Sequence, residues 1–125
     1  MSVSLNREAR GRLSHHAGVA AEESVIRLYR SRGHALLAHR WRGAAGELDV
    51  VMRAGGTVVF VEVKHSKNFP GAAASLTERQ IGRLLTAASE FLGSEPAGLL
   101  TDARFDLALV DGTGEIEIHE NALGT

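Results

Sequence analysis

Residues 47–64 read Glu47-Leu48-Asp49-Val50-Val51-Met52-Arg53-Ala54-Gly55-Gly56-Thr57-Val58-Val59-Phe60-Val61-Glu62-Val63-Lys64. Two apolar runs, the second rich in β-branched residues, are joined across a Gly-Gly turn, and that pattern predicts a β-hairpin. Strand alternation puts Phe60, Glu62 and Lys64 on one face of the second run and Val61 and Val63 on the other. In the first run Glu47 and Asp49 share a face. A carboxylate in or beside a sheet core is costly unless a charge or a metal compensates it. The hairpin brings Asp49 within lateral reach of Glu62 and Lys64. There a hard divalent cation with oxygen ligands would relieve the repulsion of paired carboxylates. An adjacent lysine would orient a water nucleophile or stabilise charge growing on a phosphate. The same spacing also fits an exposed edge strand decorated with charges, or a simple Glu62–Lys64 ion pair. For Glu47 and Asp49 the corresponding alternative is a solvated hairpin face.

Outward from the hairpin, the spacing of Ala17, Ala20, Ala21, Ser24, Val25 and Leu28 predicts an amphipathic helix from about His16 to Arg32, ended at Gly33. Glu22 lies on this helix and points either to solvent or at the strand ends. Residues 35–42 read as a first strand and Gly43 to Gly46 as a turn. The stretch from His65 to Ser75, with Pro70, Gly71 and three alanines, reads as a loop. Thr77 and Gln80 have capping-box spacing, and Ile81, Leu84, Leu85, Ala88, Phe91 and Leu92 form the buried stripe of a second helix that Gly93 closes. Strands from Phe105 to Val110 and around Ile116 to His119 complete the order α-β-β-β-α-β-β. The expected class is α/β, a central mixed β-sheet flanked by helices.

The chain has 125 residues, enough for one domain. Cysteine is absent, which excludes disulfide scaffolds, zinc-thiolate sites and thiol nucleophiles. No apolar run has the ~18 residues of a membrane helix, and the start lacks a signal-peptide core, so no membrane association and a cytoplasmic location are expected. The net charge of −1 conceals an asymmetry: residues 1–42 carry eight arginines against Glu8, Glu22 and Glu23, whereas residues 43–125 carry six Lys or Arg against twelve Asp or Glu. Such a basic front fits a polyanionic partner or simply a solvated surface. Residues 1–14 read as a flexible basic N-terminal arm and residues 15–125 as a single domain. Phosphate-binding loops, dinucleotide fingerprints and Ser-His-Asp sets are missing.

Gly18, Glu22 and Gly33, the run Gly46-Glu47-Leu48-Asp49-Val50-Val51, the run Phe60-Val61-Glu62-Val63-Lys64, Arg104-Phe105-Asp106 and the ending Asn121-Ala122-Leu123 together resemble the YraN family, also called UPF0102. That family is similar to archaeal Holliday-junction resolvases and belongs with the PD-(D/E)XK, or restriction-endonuclease-like, fold. The resemblance implies a Mg²⁺- or Mn²⁺-dependent endonuclease hydrolysing DNA phosphodiester bonds, with branched, Holliday-junction-like DNA as a candidate substrate and a homodimer as the candidate assembly. It makes Glu22, Asp49, Glu62 and Lys64 the catalytic set. Asp49, Glu62 and the Val63 backbone carbonyl would hold the metal, Lys64 would position the attacking water, and Glu22 would act through water. The chain departs from the family pattern where His65-Ser66 follow the lysine in place of an arginine, where Gln80 replaces a lysine, and where Ala21 replaces a glycine.

Candidate nucleic-acid contacts are Arg7, Arg10, Arg12, His15, His16, Lys67, Gln80 and Arg104, with Glu47 and His65 as supporting neighbours of the site. Arg104 equally fits pairing with an acidic residue. Asp106 reads as structural, and the core has first claim on Trp41 and Phe69, which disfavours a base-stacking platform. The reading from a second class is a nucleic-acid-binding module of the same fold with little or no cleavage, whose arginines meet the phosphate backbone.

Overall fold

The computed structural model describes residues 7–123, with side chains from His15 onward. A long helix α1 (Arg7–Ser31) precedes three strands, β1 (Ala35–Arg42), β2 (Glu47–Ala54) and β3 (Thr57–His65). Two helices follow, α2 (Phe69–Ala74) and α3 (Glu78–Leu92), then a 3₁₀ turn at Gly98–Leu100 and strands β4 (Ala103–Val110) and β5 (Ile116–His119). The strands form one sheet in sequence order; β3 and β4 run parallel and the other neighbours antiparallel. A parallel pair cannot be joined by a tight turn, and α2, α3 and the 3₁₀ turn supply that crossover.

The sheet divides the core. On one face Ala21, Val25, Ile26 and Tyr29 of α1 cover Val50, Met52, Val59, Val61, Val63, Ala108 and Val110. On the other, Leu84, Ala87, Ala88, Phe91 and Leu92 of α3 cover Leu48, Val51, Val58 and Phe60. Strand β3 is therefore covered on both faces, and six successive residues of it, Val58 to Val63, are buried, the near-continuous apolar run expected of a central strand. The hairpin β2–β3 and the α/β class with a mixed sheet flanked by helices are as expected from the sequence.

Four details differ. Helix α1 begins at Arg7, not near His16; residues 1–6 of the arm lie outside the described residues. Its buried stripe is Ala21, Glu22, Val25, Ile26 and Tyr29, while Ala17 and Ala20 are exposed; small residues misled the phase, and the larger Ile26 and Tyr29 set it. The segment read as a loop contains α2, because Asn68 caps it by accepting from Gly71 N at 2.7 Å and Pro70 sits in its first turn, where a missing N–H costs nothing. The element order is thus α-β-β-β-α-α-β-β. In α3 the capping box of Thr77 and Gln80 is formed, but Leu85 is exposed and Ala87 buried, because the stripe centres on Leu84, Ala88 and Phe91.

Candidate functional site

Strands β1 and β2 break alternation at the same point. Ala38 and Trp41, three residues apart, both pack toward α3, as do their cross-strand partners Val51 and Leu48. Between them His39 and Arg40 turn together toward α1. The cause is Arg40, whose φ of +54° is in the left-handed region that a β-carbon disfavours. Arg40 stands opposite Asp49 in the register, between the pairs His39–Val50 and Trp41–Leu48. Strand β2 slips correspondingly, so that Leu48 and Val50 face opposite clusters. The ladder between β2 and β3 ends at Val50–Val61, and Asp49 enters the opening beyond it.

There Asp49 Oδ2 accepts a hydrogen bond from the Val63 N–H at 2.9 Å, doing for β3 what the ladder no longer does. Glu62 is 9% exposed. Its carboxyl group is hydrogen-bonded to Asp49, and Lys64 Nζ lies 3.5 Å from its Oε1. Burial, with Asp49 adding to it, pushes the Glu62 carboxyl up to about 9, against a weaker opposing pull from Lys64. Both effects favour the neutral, protonated form of Glu62. The sequence-predicted trio Asp49, Glu62 and Lys64 is thus brought together, and Phe60 packs toward α3 while Val61 and Val63 pack toward α1.

Glu22 is 7% exposed, with both oxygens engaged on the α1 side. His39 Nε2 and Arg40 Nε each lie 2.8 Å from Oε1, and Arg40 Nη2 donates to Oε2 at 3.4 Å. Arg40 thus pairs with the buried helix carboxylate from the strand position that stands opposite Asp49. One helical turn before Glu22, a β-carbon on Gly18 would lie 3.6 Å from His65 Nε2 and 3.9 Å from Arg40 Nη2. The bare helix surface at Gly18 thus faces both side chains.

The remaining candidates are dispersed. Glu47 pairs with Arg42 at 3.2 Å in an exposed position. Gln80 accepts from Thr77 N at 3.2 Å in the cap of α3 and lines a cleft with Gly46, Glu47 and Arg83. Arg104 is committed to Asp106, at 3.1 Å, and Asp106, 1% exposed, also accepts from Tyr29 Oη at 2.6 Å and Asn121 N at 3.1 Å. Asp106 is therefore a structural carboxylate. Lys67, His15 and His16 are exposed, and the side chains of Arg7, Arg10 and Arg12 lie outside the described residues. Trp41 packs edge-on against Phe91 with centroids 5.4 Å apart. Sequence reasoning missed His39 and Arg40 as a pair, because strict alternation sends consecutive strand residues to opposite faces. Among the described residues no three His, Asp or Glu side chains are grouped to hold a metal ion.

Comparison with known proteins follows the same residues. The profile of the uncharacterised protein family UPF0102 matches residues 21–110, from the buried turn of α1 through β4. A UPF0102 protein of Ruegeria pomeroyi is 58% identical over 116 residues, covering 93% of this chain and 94% of the relative. One from Roseobacter denitrificans is 54% identical over 113 residues, covering 90% and 88%, and one from Dinoroseobacter shibae is 46% identical over 117 residues, covering 92% and 86%. With the family profile spanning most of the chain and relatives matched nearly end to end, the chain belongs to UPF0102, the YraN group.

Proposed function

We propose that the chain is a metal-dependent endonuclease of the PD-(D/E)XK type acting on DNA. The observation that carries the reading is the buried Glu62 carboxyl group set against the half-buried Asp49, with Lys64 Nζ at 3.5 Å. Nothing in the packing of β3 requires an acid at Glu62, and a leucine there would avoid the desolvation cost. The donor set fits a small divalent cation that keeps most of its waters and takes one or two carboxylates from the protein. Asp49 and Glu62 would supply those carboxylates. A strand residue's C=O leaves on the same edge as its N–H, so the Val63 carbonyl is directed to the Asp49 side and is suited to be a further ligand. Mg²⁺ or Mn²⁺ bound there would lower the pKa of a bound water and neutralise charge on the scissile phosphate. Lys64, held by Glu62, would donate to the attacking water or to a phosphate oxygen.

The test is incubation with duplex, single-stranded and four-way-junction DNA, with Mg²⁺, Mn²⁺ or chelator. Metal-dependent cleavage that disappears in Glu62→Ala and Lys64→Ala, while both variants still bind DNA, is the expected result. Cleavage untouched by both substitutions would sink the mechanism. Binding without cleavage in any metal would favour the second reading, a binding module, which the arginine-rich α1 and β1 support. Cutting of the four-way junction alone would identify branched DNA as the substrate, and a symmetric pair of nicks would call for two active sites, hence a dimer.

A further inference from the structure

We propose that Arg40 is a phosphate-binding residue of this site and that Glu22 serves as its positioning residue, in place of a role at the metal. The inference rests on the nuclease reading for its ligand, a DNA phosphodiester, but its argument is independent of the Asp49–Glu62 pair. A left-handed backbone costs an arginine of order 1 kcal/mol, and glycine or asparagine would relieve it. The strained conformation brings Arg40 to the α1 side of the sheet beside His39. Glu22 then occupies one edge of the guanidinium, through Nε and Nη2. Arginine presents its five donors in a rigid fork. With Nε and one Nη2 hydrogen engaged, Nη1 and the rest of Nη2 are left on the other edge, and Arg40 is one-third exposed. Among the described residues its only hydrogen-bond acceptor is Glu22.

The surroundings suit an anion. His65 Nε2 and Arg40 Nη2 both approach the helix at Gly18, which has no side chain to cover them. A groove lined by Arg27, Arg30 and His39, with Glu23 and two apolar side chains, continues along α1. Phosphates 5′ or 3′ of the bond held at Asp49 and Glu62 would meet this row. Glu22 receives His39 and Arg40 Nε on Oε1 and Arg40 Nη2 on Oε2, so three of its about four lone-pair directions are taken by this pair. Its burial and its two partners hold the fork in one orientation, which reduces the entropy lost when a phosphate binds.

The experiment measures binding of a fluorescent duplex in chelator, so that no cleavage enters, as a function of salt. Arg40→Asn tolerates the left-handed backbone and removes the guanidinium; Arg40→Lys retains the charge. The Asn variant should bind about tenfold more weakly, with a salt slope lower by about 0.9, the loss of one phosphate contact. The Lys variant should recover the slope with only part of the affinity. An Asn variant that keeps wild-type affinity and slope would overturn the assignment while leaving the nuclease reading standing. Wild-type protein showing no salt-dependent binding at all would remove both. In parallel, Mn²⁺ titration should find Glu22→Gln within about twofold of wild type and Asp49→Asn weakened more than tenfold. Equal losses would return Glu22 to the metal and refute its role as a support for Arg40.

Discussion

Replacing Tyr29 by Phe removes a 2.6 Å hydrogen bond to Asp106, a carboxylate with 1% exposure. Burial first, and the bond to Asp106 second, raise the Tyr29 hydroxyl well above its ordinary value, so it stays a donor at any pH the fold survives. Asp106 keeps Arg104 and the Asn121 N–H, so Tyr29→Phe should cost about 1–2 kcal/mol in denaturant unfolding. Asp106→Asn should cost more, about 3 kcal/mol, since it removes the buried charge that Arg104 Nε meets at 3.1 Å and leaves that guanidinium only Glu120, at 4.0 Å. The two carboxylates of the hairpin were legible in the sequence by the same reasoning that explains Asp106: an acid within an apolar strand demands a partner. What the sequence withheld was the partner's identity. Asp106 met a tyrosine and an arginine, Glu62 met Asp49 and Lys64, and Glu22 met two residues that alternation had separated. A positive φ at a non-glycine residue such as Arg40 has no local signature, because tertiary contacts enforce it against the residue's own preference.

The elements were legible where periodicity and turn chemistry agreed, as in the Gly55-Gly56 hairpin and the Thr77–Gln80 cap. They were not legible where a helix is short, as in α2, or opens on a polar, arginine-rich run without apolar periodicity, as in α1. Contacts between elements were invisible, and the anchor of α3 is one of these. Ala44 N donates to both oxygens of Glu90, at 3.1 and 2.9 Å, which ties α3 to the turn between β1 and β2 and so fixes the position of Asp49 at the start of β2. A β-carbon on Gly43 would collide with that Glu90 carboxylate and come within 2.7 Å of the Trp41 ring. Gly43→Ala should therefore destabilise by about 1–3 kcal/mol, whereas Gly56→Ala, with open space around its β-carbon, should stay within about 0.5 kcal/mol. Equal thermal midpoints for the two variants would show that the Glu90 tie does not hold the turn. Thr77→Ala should cost about 1 kcal/mol by leaving Gln80 N without its acceptor.

At the scale of the whole molecule, the near-zero net charge and the basic front become consequences of one arrangement. Helix α1 and strand β1 carry most of the arginines and histidines of that front, and part of the acidic excess is drawn into the opening between β2 and β3, where burial favours the protonated form of Glu62. That proton makes stability depend on pH with a definite sign. Folding raises the Glu62 carboxyl from 4.5 to about 9, so between these values the folded state binds more protons than the unfolded one, and rising pH works against folding. The contribution is fully present below pH 4.5 and is lost as pH rises through about 9, at no more than about 1.4 kcal/mol per pH unit. In chelator, the difference in thermal midpoint between wild type and Glu62→Gln should therefore shift steadily against the wild type from pH 5 toward pH 9, because glutamine keeps the neutral shape and has no proton to lose. Parallel pH profiles would show that Glu62 is not held protonated. A divalent cation held by Asp49 and Glu62, as proposed above, would compete for the position of the proton, so Mn²⁺ should raise the wild-type midpoint more at pH 8.5 than at pH 6 and should leave the glutamine variant nearly unmoved. A Mn²⁺ effect of equal size at both pH values would mean that the cation binds elsewhere on the protein and that the Asp49–Glu62 opening serves only to close the sheet.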